Sequence, residues 1–183
     1  MINKTAAIIA AAGAGNRLGA DIPKALVKLV DKTLVEHAVA NLAPVAQLIV
    51  VTAPAGFVDE YKKILGDSVE VIEGGVLRSD SIRIALSKIP NQYEYVLVHD
   101  AARSLASTTL AATVIAQLIN GEQAVIPALD VIDTIKEVDG NGYVRNTPNR
   151  SSLKAVQTPQ GFTRSVLERA HAASDDATDD AAL

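Results

Sequence analysis

The sequence contains no cysteine and no tryptophan. Without cysteine, disulfides, thiolate metal sites and cysteine nucleophiles are all excluded, and the composition fits a reducing compartment such as the cytoplasm. The aromatic residues are limited to four tyrosines and two phenylalanines, so base stacking on exposed rings cannot be the main way in which a nucleotide is held. A bound nucleotide would have to be contacted through the backbone.

Long apolar runs and blocks of basic residues are also missing. The apolar stretch at 6–12 is only seven residues long, follows a single Lys4 and runs into Gly13, which is unlike a membrane span or a signal peptide. Lysine and arginine number 17 against 21 aspartates and glutamates, giving a net charge of −4. We therefore expect neither a membrane nor a nucleic acid as partner.

The residues that are present suffice for a sizeable core, since 49% of the 183 residues are hydrophobic, and we expect one domain over 1–183. Short apolar runs alternate with segments of helical spacing. This alternation predicts an α/β fold with a mostly parallel sheet, helices on both faces and ligands at the carboxyl ends of the strands. The predicted strands are 5–11, 47–52, 68–73, 95–99 and 123–127, and the predicted helices are 33–42, 57–65, 79–88 and 108–120.

The alternation ends after Pro127. Residues 134–138 and 143–146 predict two short strands about a turn at 139–142, and hence a protruding β-hairpin arm at about 132–152. A two-stranded arm is marginally stable alone, so we expect a homodimer formed through it. A strand at 154–158, a break at 159–161 and a helix at 163–173 are predicted to follow.

A glycine-rich segment follows the first predicted strand and is the strongest local signal. It reads Ala11-Ala12-Gly13-Ala14-Gly15-Asn16-Arg17-Leu18-Gly19 and leads to Pro23-Lys24. Leu18 stands where a dinucleotide fingerprint needs glycine, and Lys24 lacks the flanking residues of a P-loop. Small residues let backbone N–H groups approach phosphate oxygens, while Arg17 and Lys24 can reach the same anion. The segment predicts a triphosphate pocket, and the alternative is an ordinary strand-to-helix turn with two solvated cations.

Two further clusters follow predicted strands. After strand 95–99, Arg103 suits phosphate, whereas Asp100 suits either a magnesium ion or a substrate hydroxyl. Gly75 and Ser81, after strand 68–73, suit the edge of a nucleobase. The structural alternatives are a helix cap at Asp100 paired with Arg103, and a plain N-cap at Ser79 or Asp80.

Polar residues beyond the arm form another cluster, in which Arg150 offers a second phosphate ligand near Thr158. His99 is different, because it lies within an apolar run. We predict that it is a packed core residue without a role in chemistry.

Taken in order, these motifs resemble the 2-C-methyl-D-erythritol 4-phosphate cytidylyltransferases of the non-mevalonate isoprenoid pathway. The resemblance spans residues 6–183. It implies a Rossmann-like α/β fold, CTP and Mg²⁺ as requirements, transfer of CMP to the sugar-alcohol phosphate with release of pyrophosphate, and a cytoplasmic homodimer. The motifs that carry it are the glycine loop ending in Arg17, Pro23-Lys24, Val98-His99-Asp100-Ala101-Ala102-Arg103 and Thr158-Pro159-Gln160.

The resemblance also implies roles for individual residues. Arg17 and Lys24 match the pair that stabilises the transition state. No protein metal ligand is assigned, because Mg²⁺ would be held mainly by the CTP phosphates, with Asp100 as a candidate contact. The nucleotide would be held by Ala11, Ala12, Gly13, Ala14, Gly15, Gly75 and Ser81, and the sugar phosphate by Asp100, Arg103, Thr158 and Arg150, the last reaching the partner subunit's site.

Two departures from the family pattern define the alternatives. Val76 stands where members often carry a polar residue beside the base, and we expect the family's final strand and helix to be absent. One alternative is a ribitol-5-phosphate cytidylyltransferase, which shares the nucleotide loop and the Asp-Ala-Ala-Arg segment. The other is a non-catalytic nucleotide-binding module.

Overall fold

A computed structural model describes residues 4–13, 22–173 and 180. Within these ranges the helices are α1 (Leu34–Leu42), α2 (Val58–Leu65), α3 (Arg78–Lys88), α4 (Thr108–Ile119) and α5 (Arg164–Ala173). The strands are β1 (Thr5–Ala10), β2 (Lys28–Leu29), β3 (Lys32–Thr33), β4 (Leu48–Ala53), β5 (Glu70–Glu73), β6 (Tyr95–Asp100), β7 (Ala124–Val125), β8 (Ala128–Asp130), β9 (Glu137–Val138), β10 (Val144–Asn146), β11 (Lys154–Val156) and β12 (Gln160–Thr163).

The central sheet has six strands in the order β5-β4-β1-β6-β12-β7. Strands β5, β4, β1 and β6 are parallel, and β12 runs antiparallel to both of its neighbours. The register places Ala10 level with Thr52 on one side and Asp100 on the other. The carboxyl ends of the three central strands therefore meet at one edge, as the sequence predicts.

Helices cover both faces of this sheet, which confirms the predicted α/β class. Helices α1, α2 and α4 pack on one face, where Val35, Tyr61 and Ile115 join the core. Helices α3 and α5 pack on the other, where Ile82 and Leu167 are buried. Because both faces are covered, β1, β4 and β6 are almost continuously apolar.

The arm is a pair of short antiparallel ladders, β8 with β11 and β9 with β10. Its tip forms because Asp139 Oδ1 accepts hydrogen bonds from the backbone N–H groups of Asn141 (2.9 Å) and Tyr143 (3.0 Å), while Gly142 takes a positive φ of 84°. The predicted hairpin is confirmed. The first ladder, which sequence reasoning missed, lies at its base and contains Leu129, 60% exposed.

One local prediction was wrong, and one element was missed. Residues 159–161 are not only a break, because Gln160 begins β12, which enters the central sheet. Gly161 permits the close packing of α4, since a Cβ there would lie 2.4 Å from Val114 Cγ1. The β2–β3 hairpin was also not predicted, because its tight turn places Val30, and not a glycine, at a φ of 62°.

Candidate active site

A cleft of about 520 Å³ opens at the carboxyl edge of the central strands. Its walls come from the ends of β1 and β6, the start of α3 and the 3-10 turn at Lys24–Leu26. Eight of the predicted site residues line it together, which are Ala11, Ala12, Gly13, Lys24, Gly75, Ser81, Asp100 and Arg103. The predicted residues Ala14, Gly15 and Arg17 lie outside the described ranges.

The start of the glycine-rich segment is held by β4 and α2. The Ala11 N–H donates to the carbonyl of Thr52 at 3.1 Å and to its Oγ1 at 3.3 Å. The Ala11 carbonyl accepts a hydrogen bond from the buried Tyr61 hydroxyl at 3.2 Å. Both polar groups of Ala11 are thus occupied within the fold, so a ligand would meet the backbone from Ala12 onward.

Lys24 is fixed by its neighbours. Pro23, with φ −52° and ψ 136°, precedes the 3-10 turn, and Ala25 and Leu26 are buried beside α1. The Leu26 N–H donates to the Pro23 carbonyl at 2.9 Å and closes the turn. Lys24 therefore reaches the cleft from a backbone whose conformation is set by a proline and two core residues.

A pair of glycines brings the loop after β5 against the glycine-rich segment. A Cβ on Gly74 would lie 2.5 Å from the Ala12 Cβ, and one on Gly75 would lie 2.3 Å from the Asp80 Cβ. The Gly75 N–H donates to Ser81 Oγ at 3.0 Å, and this hydroxyl in turn reaches the Leu77 carbonyl at 3.1 Å. Ser81 is buried and shapes the wall of the cleft beneath Gly75.

Asp80 also bonds the backbone at the start of α3. Asp80 Oδ2 accepts a hydrogen bond from the Leu77 N–H at 3.2 Å. The N-cap residue is Leu77, so the predicted N-cap at Ser79 or Asp80 is wrong; Asp80 supports the helix start from its third position, while Ser81 lines the cleft.

Asp100 lies between two arginines. Its Oδ1 accepts a hydrogen bond from Arg78 Nε at 3.1 Å, and its Oδ2 lies 3.6 Å from Arg103 Nε. Arg103 also donates to Gln157 Oε1 at 2.5 Å, across the gap to the segment after β11. Asp100 occupies the predicted cap position before the 3-10 turn at 101–103 but forms no side-chain cap bond, and the predicted pairing with Arg103 is present.

Arg78 is a cleft residue that sequence reasoning missed. Besides Asp100, it contacts Asp180, whose Oδ2 accepts from Arg78 Nη1 at 2.7 Å. Burial opposes the charge of Arg78, but the Asp180 and Asp100 carboxylates outweigh that effect and raise its pKa. The available signal was an arginine three residues after the Gly74-Gly75 pair, at the first position of a helix beside the cleft.

Thr158 and His99 support Asp100 from within the fold. The Thr158 hydroxyl accepts from the Asp100 N–H at 3.2 Å and contacts His99 Nδ1 at 2.9 Å. Burial lowers the pKa of His99 to about 4, so this contact joins the hydroxyl to a neutral imidazole. His99 is thus the packed core residue that the sequence predicts, and Thr158 is buried behind the cleft wall.

Arg150 is the one described member of the predicted set that lies on the arm. Its Nη1 donates to the Ile132 carbonyl at 2.6 Å, and it lines a separate depression with Asp130 and Asn149. Within one chain the structure therefore brings together the described nucleotide residues, Asp100 and Arg103, whereas Thr158 and Arg150 do not line this cleft.

A divalent cation would find few protein ligands here. Within the described ranges, Asp100 is the acidic residue that lines the cleft, and no group of three or more His, Cys, Asp or Glu side chains could hold a metal. Mg²⁺ is usually bound by one or two carboxylates together with substrate phosphates, so this donor set fits a phosphate-held ion.

Within the described residues, no helix is long and apolar enough to cross a membrane.

A mostly parallel sheet with a small-residue turn, a lysine and arginine–carboxylate pairs at its carboxyl edge defines a nucleotide-binding α/β protein. Comparison with known proteins narrows this class. Residues 5–183 match the model of the IspD family, 2-C-methyl-D-erythritol 4-phosphate cytidylyltransferase, and the chain belongs to that family. It is an enzyme of the nucleotidyltransferase class.

Individual relatives agree with this assignment. The chain is 48% identical over 180 residues to the 2-C-methyl-D-erythritol 4-phosphate cytidylyltransferase of Rhodococcus opacus, covering 97% of this chain and 79% of that protein. It is 47% identical to the Frankia casuarinae protein of the same name, covering 98% and 69%. The solved structure of the Thermus thermophilus enzyme matches with a TM-score of 0.78 and 32% identity, covering 96% and 81%.

A second solved structure, 4-diphosphocytidyl-2C-methyl-D-erythritol synthase from Anaerococcus prevotii, matches with a TM-score of 0.82 and 28% identity. That match covers 97% of this chain and 80% of that one. Sequence and structure therefore lead to the same family along nearly the whole chain.

Proposed function

We propose that this chain transfers CMP from CTP to 2-C-methyl-D-erythritol 4-phosphate, releasing pyrophosphate, in isoprenoid precursor biosynthesis. A phosphate oxygen of the sugar alcohol attacks the α-phosphorus of CTP, and the bond from that phosphorus to the β-phosphate oxygen breaks. The supporting observation is the cleft that Ala12, Gly13, Lys24, Gly75 and Ser81 line together with Asp100 and Arg103.

The main barrier in this reaction is electrostatic. Two anions must approach, and negative charge grows on the α-phosphoryl oxygens as the bond to pyrophosphate breaks. We assign stabilisation of that charge to Lys24, which its 3-10 turn fixes, to the backbone of Ala12 and Gly13, and to Arg17 by its position in the motif. No covalent intermediate is needed, because the sugar phosphate is already a competent nucleophile.

The base is assigned to the wall formed by Gly75 and Ser81. Gly75 allows close approach because it has no side chain, and Ser81 holds the Gly75 backbone through a 3.0 Å hydrogen bond. Val76, which is 99% exposed at this wall, cannot donate or accept a side-chain hydrogen bond. Recognition of cytosine therefore rests on backbone groups and on Ser81.

The sugar-alcohol phosphate is assigned to the side of the cleft that holds Asp100 and Arg103. The carboxylate can accept hydrogen bonds from substrate hydroxyls, and the guanidinium can bind the phosphate. Thr158 contributes by bonding the Asp100 backbone and not by facing the cleft.

Mg²⁺ fits the site as an ion held mainly by the CTP phosphates, with Asp100 as its protein contact. When bound, it neutralises charge on the triphosphate and so assists departure of pyrophosphate. Asp100 is one-third exposed in the cleft, so it can meet either the ion or a substrate hydroxyl.

We also propose that the enzyme is a homodimer formed through the arm and acts in the cytoplasm. The arm exposes large apolar side chains, including Ile132 at 84% and Tyr143 at 73%, which favours a partner surface. Such a dimer would bring Arg150 to the partner subunit's sugar-phosphate site. The absence of cysteine is compatible with a reducing compartment.

The test is a substrate comparison. The protein is incubated with CTP and Mg²⁺ plus either methylerythritol phosphate or ribitol 5-phosphate, and pyrophosphate release is measured. We expect release with methylerythritol phosphate, and preference for ribitol phosphate would overturn the substrate assignment. CTP binding without turnover of either sugar would favour the binding-module alternative.

A further inference from the structure

A carboxylate lies almost wholly buried behind the cleft. The Asp180 side chain is 1% exposed, and its two oxygens have different partners. Oδ2 accepts from Arg78 Nη1 at 2.7 Å, and Oδ1 accepts from His171 Nε2 at 3.0 Å. Because an unpaired buried carboxylate is very costly, these two contacts fix where Asp180 lies.

Arg78 carries this arrangement into the cleft. Its Nη1 faces Asp180, while its Nε faces Asp100 Oδ1 at 3.1 Å. A guanidinium is planar and rigid, so the position of one carboxylate constrains the other across it. Asp180, Arg78 and Asp100 therefore form one ion-pair chain that runs from beneath α5 to the cleft.

These ion pairs also occupy most of the Arg78 guanidinium. Two carboxylates occupy its Nε and Nη1, and its side chain is only 27% exposed. The opposite oxygen of Asp100 faces Arg103 at 3.6 Å. Asp100 is thus held between a buried arginine on one side and an exposed one on the other.

We propose that Asp180 is a positioning residue for the transfer reaction, which holds Arg78 against Asp100 and so fixes the Asp100 carboxylate in the cleft. The inference rests on the proposed function. It assigns Arg78 to orienting Asp100.

The first experiment tests whether Asp180 and Arg78 belong to one ion-pair network, and its readout is stability and not activity. Free energies of unfolding are compared for the wild type, Asp180→Asn, Arg78→Lys and the double variant. Asparagine is isosteric with aspartate but uncharged, and lysine keeps the charge but cannot bridge two carboxylates. Stability losses from residues in one network do not add. The double variant should therefore be no less stable than the less stable of the two single variants. If the two losses in the free energy of unfolding simply add, Asp180 and Arg78 are not coupled and the proposal fails.

The second experiment measures the kinetics of the folded wild type and variants with CTP, Mg²⁺ and methylerythritol phosphate. Displacement of a substrate-positioning group costs up to about 10²-fold, so Asp180→Asn and Arg78→Lys should each lower kcat/KM for the sugar phosphate roughly tenfold or more. The KM for CTP should change less than about twofold. A loss confined to the KM for CTP, or unchanged kinetics despite lower stability, would overturn the proposal.

Glu168→Gln provides the matched control. It removes a carboxylate from an ion pair on α5, the helix that carries His171, with Arg164 Nε at 2.7 Å, but at an exposed position outside the cleft. Its kinetics should equal those of the wild type. If Asp180→Asn does not fold, Asp180→Glu, which keeps the carboxylate but shifts it relative to Arg78, replaces it in both measurements. Failure of the wild type to release pyrophosphate would remove the proposed function, whereas an active wild type with unaffected variants would remove only this inference.

Discussion

The Tyr61 hydroxyl on α2 donates a hydrogen bond to the carbonyl oxygen of Ala11, 3.2 Å away, where β1 leads into the glycine-rich segment. The Tyr61 ring is wholly buried beneath the sheet. A single side chain therefore links the core of one face to the backbone that precedes the cleft.

Tyr61→Phe tests that link. The ring would stay packed, but the Ala11 carbonyl would lose its partner, so we expect a loss of about 1–3 kcal/mol in the free energy of unfolding. Urea denaturation measures it. Tyr93→Phe, on the opposite face of the sheet, is the matched control and should cost well under half as much. Equal losses would show that the Ala11 hydrogen bond contributes nothing specific.

The same residue predicts a dependence on alkaline pH. Burial, with a smaller contribution from Glu60, raises the pKa of Tyr61 above its ordinary value. A raised folded-state pKa means that the native state retains a proton which the unfolded chain loses above about pH 10. Stability should therefore fall as pH rises beyond that value, and Tyr61→Phe should show a shallower decline in unfolding experiments between about pH 9 and 11.

Lys24→Ala should lower kcat far more than it raises the KM for CTP. The charge that Lys24 opposes is largest in the transition state, and loss of one preorganised contact typically costs about 10²- to 10³-fold. Steady-state pyrophosphate release measures both constants. Lys28→Ala, an exposed lysine on β2, is the control and should be unaffected. An intact kcat with a raised KM would assign Lys24 to ground-state phosphate binding.

Ser81→Ala should weaken nucleotide binding. The Gly75 N–H would lose its hydrogen-bond partner, which is 3.0 Å away, and this wall of the cleft would lose its fixed geometry. We expect the KM for CTP to rise about tenfold. Ser87→Ala is a good comparison, because its hydroxyl bonds a helix carbonyl on the same helix but is exposed. If both variants bind CTP equally well by calorimetry, Ser81 has no part in recognition.

Arg150→Ala tests the shared site. With the arm crossing to a partner, the variant should raise the KM for the sugar phosphate and leave CTP binding nearly unchanged. Mixing Arg150→Ala with Lys24→Ala chains would put both lesions in one site of a mixed dimer and leave the other intact. At equal amounts, activity should then recover to about a quarter of the wild-type value. No recovery after verified subunit exchange would place Arg150 in its own subunit's site.

The sequence was sufficient for the sheet and its helices because both depend on local periodicity. The predicted helix 108–120 differs from α4 by one residue, and the strand 95–99 from β6 by one. The failures have a different cause. Gly161 suggested a break, whereas the long-range packing of α4 requires a glycine there inside a strand.

The same distinction applies to the site. Asp100, Gly75 and Ser81 follow strands or begin helices, so their meeting at one edge was predictable from topology. Arg78 was missed because its role depends on Asp180, which is 102 residues away in the sequence. A pairing over that distance leaves no periodic signal, and only the folded chain reveals it.

The position of β1 in the sheet has a consequence for synthesis on the ribosome. This strand lies between β4 and β6, and the registers pair Ala6 with Leu48 and with Val96. The chain must therefore reach residue 100 before the most apolar segment near its start is covered on both edges. At about 5–20 residues per second, the exposed period lasts roughly 5–20 s, so a nascent chain of this protein should depend on chaperones that shield its first strand.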